Sequence, residues 1–189
     1  DGSAASWGTV APAGLTLLST VTASSSSTLD METTFDSTYD AYVIYATNVQ
    51  MSNSGEYIKV RLKLGGVYKQ NGNSYSYHFQ ASHSNVASYN GTAAGSEPHI
   101  KINNGMSNST VEGGFDGIFY IQDPSNPRTT YRHRIQWQSV YVNQSNYVVT
   151  NSGAARHSGA GTGPMTGIRF FPSTGTFTKG TFRLYGITK

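Results

Sequence analysis

The stretch that decides the fold is Ile58-Lys59-Val60-Arg61-Leu62-Lys63-Leu64. Four aliphatic residues take every second position and cations take the three between. Side chains of an extended chain point alternately to opposite sides, so this period puts the aliphatics on one face and the charges on the other. That is a half-buried antiparallel strand; a helix would spread the same residues around its circumference. The period returns at Tyr75, Tyr77 and Phe79, with Ser76, His78 and Gln80 opposite. It returns again at Tyr131, His133, Ile135 and Trp137, with Arg132, Arg134, Gln136 and Gln138 between them.

Working outward, residues 15–21 form an apolar, threonine-containing run that reads as a strand, and the serine-rich stretch 22–28 reads as a turn or edge. Leu29 and Met31 alternate with Asp30 and Glu32. The segment DSTYDAYVIYATNV, residues 36–49, is a turn followed by an aromatic and β-branched run to be buried on both faces. Further strand signals lie at 115–122, 141–149, 166–171 and 180–187. Residues 82–114 are polar apart from Ile100 and Ile102 and are expected to form a long exposed or functional insertion. Residues 151–164, with four glycines, are expected to form a flexible loop. About eight to ten strands with no helical period give an all-β chain, a single antiparallel β-sandwich that is jelly-roll-like. The expected organisation is an arm or linker over 1–14, anchored by Trp7, and a sandwich domain over 15–189.

Composition agrees. The 189 residues include 21 Gly and 13 Tyr but only 12% charged residues, a mixture suited to turns and pleated strands. The net charge of +3 comes from scattered cations rather than a basic run, so no nucleic-acid partner is expected. There is no cysteine and hence no disulfide framework. No apolar run approaches the roughly 20 residues of a bilayer-spanning helix, and no membrane insertion is expected. The chain opens on Asp1 rather than Met, which fits the ordered remainder of a longer protein.

The closing segment GIRFFPSTGTFTKGTFRLYGI, residues 167–187, resembles the terminal segment of β-sandwich domains at the ends of tailed-phage virion structural proteins, especially marine and cyanophage-like ones. LLSTVTASSSSTLDMETTFDSTYDAYVIYATNV, residues 17–49, resembles the opening strand pair of the same family, and DGSAASWG, residues 1–8, resembles the junction before it. The middle, roughly residues 50–166, is unmatched. The resemblance implies a fibre, appendage or capsid-bound role at the virion surface rather than catalysis.

The candidate chemistry is sparse. His78, His83, His99, His133 and His157 lack a short ligand spacing, so no metal site is expected. Asp36 and Asp40 flank a tight turn and read first as turn stabilisers, although paired carboxylates also bind calcium or cleave glycosides. No serine sits in a nucleophile elbow, and the glycines of residues 153–163 are not followed by a phosphate-binding Lys-Ser/Thr. No catalytic residue and no cofactor are therefore expected. Partner or glycan contacts are assigned to Trp7, Tyr68 and Tyr89, whose rings would stack on sugars or proteins, and to Arg132, Arg134 and Arg156. Lys59, Arg61 and Lys63 read as a solvated face that discourages edge aggregation.

The resulting expectation is a non-enzymatic, surface-exposed virion protein. It would be the β-sandwich end of a fibre or appendage, a homo-oligomer with a trimer favoured, whose two polar tracts touch other virion proteins or a host surface glycan. The alternatives are a capsid decoration (cement) protein and a carbohydrate-binding module.

Overall fold

The computed structural model describes residues 14–32, 35–39, 41–111, 113–122, 124, 132–159 and 163–187, with backbone alone at 86–89. Among the described residues the chain is all-β, with no helix. Its strands are β1 (Leu15–Thr22), β2 (Leu29–Met31), β3 (Ala41–Met51), β4 (Ile58–Leu64), β5 (Val67–Tyr68), β6 (Tyr75–His83) and β7 (Val86–Glu97). They continue as β8 (Ile100–Lys101), β9 (Phe115–Gln122), β10 (Arg134–Val142), β11 (Val148–His157), β12 (Met165–Pro172) and β13 (Phe177–Ile187). All but β2, β5 and β8 span seven residues or more.

The large sheet runs β1-β13-β3-β9-β10-β11-β6-β7; the small one runs β2-β12-β4-β5, with β8 also on β4. Every pairing is antiparallel. Taken in chain order, β1, β2, β3, β4, β8, β9, β12 and β13 place β1-β13-β3-β9 against β2-β12-β4-β8, the strand order of an eight-stranded jelly roll. The remaining strands are insertions. β6 and β7, between β4 and β8, and β10 and β11, between β9 and β12, widen the large sheet by β10-β11-β6-β7, and β5 extends the small one.

The period-two pattern of β4 is realised: Ile58, Val60, Leu62 and Leu64 are buried and the three cations between them are half-buried. At the centre of the sandwich Phe170 of the small sheet packs edge-on against Phe119, with centroids 5.1 Å apart, and against Phe182 at 4.5 Å. Consecutive buried residues Tyr42, Val43 and Ile44 fit the interior place of β3, between β13 and β9. Where β3 and β13 lose register, Asn48 (φ 52°) and Gly180 (φ 130°) take positive φ. A Cβ on Gly180 would stand 2.7 Å from Val49 Cα, so this bulge requires glycine.

Two expectations are corrected. Residues 82–114 are not one exposed insertion: they contain β7 and β8, and Ile102, Asn103, Met106 and Ser107 are buried. This segment helps to cover the inner face of the widened sheet, which β4 of the small sheet meets at Tyr75, whose hydroxyl accepts from Leu62 N at 2.8 Å. Ile102 O accepts from Trp137 Nε1 and from Asn151 Nδ2, both at 3.0 Å, while Asn103 Oδ1 accepts from Ile58 N at 2.9 Å. The second correction concerns residues 151–164, whose first seven residues belong to β11. Gly153 is there because a Cβ would stand 2.3 Å from Trp137 Cζ2 and 2.6 Å from Phe79 Cβ.

Candidate functional site

The inward period of β9, β10, β11 and β6 builds core, so the intervening residues form one continuous outer face. Their register sets the rows. Tyr120, Gln136, Ala154 and His78 lie side by side across the four strands, followed by Ala93 of β7. The next row is Ile118, Gln138, Ser152, Gln80 and Gly91, and the one beyond is Asp116, Val140, Thr150 and Ser82. Arg134, Arg156 and Ser76 form the row at the opposite end.

Small side chains run down β11, and longer ones stand on both flanking strands. The outcome is a groove with β11 as its floor, Gln136 and Gln138 as one wall, and His78 and Gln80 as the other. Three adjoining open depressions of about 490, 410 and 360 Å³ mark it; the first two share Gln80, Gln138 and Ser152, and the last two share His78, Gln136 and Ala154. At a rise of about 3.4 Å per residue, the six steps from Arg134 to Val140 make it about 20 Å long, suited to a linear chain.

Each glutamine amide offers two donors and an acceptor, the combination that matches hydroxyls, which both donate and accept. Tyr120, 40% exposed, presents a ring beside them. Arg134 and Arg156, cross-strand partners on exposed positions, make one end cationic. Arg132 adjoins Tyr120, Gln122 and Arg134 at that end. Asp116 stands at the other end, its Oδ1 accepting from Asn48 N at 2.7 Å. Among the described residues no three His, Cys, Asp or Glu side chains are grouped to hold a metal ion.

Of the residues assigned from sequence, Arg132, Arg134 and Arg156 come together at the groove's cationic end. Tyr68 does not join them. It lies on the small sheet, its hydroxyl donating to Glu32 Oε1 at 3.1 Å and its ring 4.1 Å from Arg169 Cζ. Trp7 lies outside the described residues, as does the Tyr89 side chain, whose backbone pairs with Ser82. Asp36 Oδ1 accepts from Thr38 N at 2.9 Å, a local turn bond, while Asp40 falls outside the described residues. Sequence reasoning missed Tyr120, His78, Gln80, Gln136 and Gln138 as a site. The alternation marked most of them as outward-facing, but only the non-local pairing of β11 with β6 brings the two walls together.

The fold and the groove define a class: an all-β sandwich whose widened sheet carries a polar channel. No protein-family model and no curated protein matches the chain.

Proposed function

We propose that this chain is a non-catalytic contact domain of a tailed-phage virion, the β-sandwich end of a fibre or appendage, and that its groove holds a linear glycan of the host surface. The observation that carries the glycan reading is the amide-walled channel with the exposed Tyr120 ring beside it. Host contact then falls on a rigid sheet face rather than on loop tips. Rigid presentation limits the ordering entropy that binding costs. The virion placement is supported by the resemblance of both chain ends to that family and by the sandwich fold. Assembly as a homotrimer on the particle surface belongs to the same proposal.

The test is saturable binding of the isolated chain to a panel of bacterial surface polysaccharides, read by calorimetry. Binding to at least one linear chain is expected, weakened about tenfold in Tyr120→Ala through loss of ring stacking. A folded chain that binds nothing in the panel would remove the glycan role. A second reading, a decoration protein clamped to the shell, is favoured by Leu15 and Leu17 on the outer strand β1, which are 47% and 53% exposed. Retention on purified shells and not on tails would select it.

A further inference from the structure

The small sheet's outer face carries a second concentration of charge. Lys59 of β4 is the cross-strand partner of Lys101 on β8 and of Phe171 on β12. Arg61 follows on the same face of β4. Two rings hold these cations together. Tyr57 lies 4.5 Å from Lys101 Nζ and 5.7 Å from Lys59 Nζ, and Phe171 lies 5.6 Å from Lys59 Nζ and 4.7 Å from Arg61 Cζ. His99 meets the far side of the group, its ring centroid 6.3 Å from that of Phe171. At about 4.8 Å between strands, the group is about 10 Å across, from β8 to β12.

Acidic compensation goes elsewhere. Asp30 takes Arg169 through two short bonds of 2.7 and 2.6 Å, and Glu32 takes Lys63 at 2.8 Å. Glu56, whose field reaches Lys59, is engaged by Ser173 and Thr174. Among the described residues Lys59, Arg61 and Lys101 therefore have no salt bridge. Lys59 donates to Ser173 O at 3.2 Å; Arg61 donates to Pro98 O at 3.1 Å and to Gln70 Oε1 at 3.4 Å. Most of their N–H groups stay available. Like charges directly opposite across a strand pair cost stability. Cations placed only to deter edge pairing would be solvated. These three are half-buried instead. Burial, followed by the charges of Lys59, Arg61 and Lys101, pushes His99 down to about 4.

We infer that Lys59, Arg61 and Lys101, set around Tyr57 and Phe171, form a binding site for one oxyanionic group, a carboxylate, sulfate or phosphate substituent carried on a saccharide. Its compact size fits a single substituent better than a nucleic-acid backbone. Both rings already lie against cations. Oxyanion binding stands independently of the groove; only its assignment to a saccharide rests on the contact-domain reading.

The test titrates the full chain with inorganic sulfate, inorganic phosphate, a uronic-acid oligosaccharide and a single-stranded oligonucleotide at constant ionic strength. The readout is the His99 imidazole resonance, assigned with His99→Gln. Saturable binding of sulfate, phosphate or uronate that raises the His99 pKa is expected. Lys59→Gln and Lys101→Gln should each weaken it about tenfold, the loss of a charge-assisted bond, and Lys179→Gln on β13 should not. Equal, non-saturating responses to chloride and to every anion would overturn the site. Tighter binding of the oligonucleotide than of the uronate would overturn the saccharide assignment alone. Tyr120→Ala should leave this titration unchanged, so failure of the groove and failure of this site are read separately.

Discussion

Gly153 shows how one residue settles whether a polar tract is strand or loop. Its Cα lies against the Trp137 indole and Phe79, leaving no room for a methyl group. Gly153→Ala is expected to cost about 1–3 kcal/mol through overpacking and to lower the thermal midpoint by several degrees. Ala154→Ser, one residue on and facing solvent, should leave the midpoint within about two degrees by the same measure, since exposed substitutions stay near ±0.5 kcal/mol. Asn151 is equally specific, donating to Ile102 O at 3.0 Å and accepting from Ser139 Oγ at 2.6 Å. Asn151→Leu would strand the serine hydroxyl and remove a bond to the covering segment, for a loss of about 1–3 kcal/mol in urea unfolding. In sequence, both positions look like loop residues. Their roles depend on Trp137 and Ile102, which the sequence does not pair with them.

At the scale of elements, strands with large inward residues were legible and strands built of small residues were not. β4 and β9 display their period openly, whereas β11 reads VVTNSGAARH because Trp137 and Phe79 already fill the space beneath it. β7, at the sheet edge, has the same small, polar composition. The turn between β12 and β13 shows how loops are fastened. Burial raises the Glu56 pKa, but hydrogen bonds from Ser173 and from Thr174 N (2.7 Å) and Oγ1 (2.6 Å) outweigh it and hold the carboxyl below its usual range. A depressed carboxyl contributes stability above the unfolded-state pKa and loses it as pH falls through the folded value. The midpoint of the wild-type chain should therefore drop more steeply between about pH 5 and 3 than that of Glu56→Gln. Parallel curves in a calorimetric pH series would show that the turn does not use the charge.

For the whole molecule, the eight-strand framework encloses the aromatic centre between two sheets, while the widening strands rest on the segment around Ile102 and, at Tyr75, on β4. Regions with less enclosed packing open at lower free energy. Amides of β6, β10 and β11 are therefore expected to exchange together, and sooner than those of β3 and β13, in native-state hydrogen exchange. Uniform protection across the large sheet would contradict this division.

The pairing of β11 with β6 joins residues 75–83 to residues 148–157 across the groove floor. On the proposed reading, recognition is thus written in two separated cassettes, the β6 insertion with His78 and Gln80 and the β10-β11 insertion with Gln136 and Gln138, that must be inherited as a matched pair. A chimera carrying only one of them from another source would keep its jelly-roll frame yet present mismatched walls, so new specificities should arise by exchanging both cassettes together.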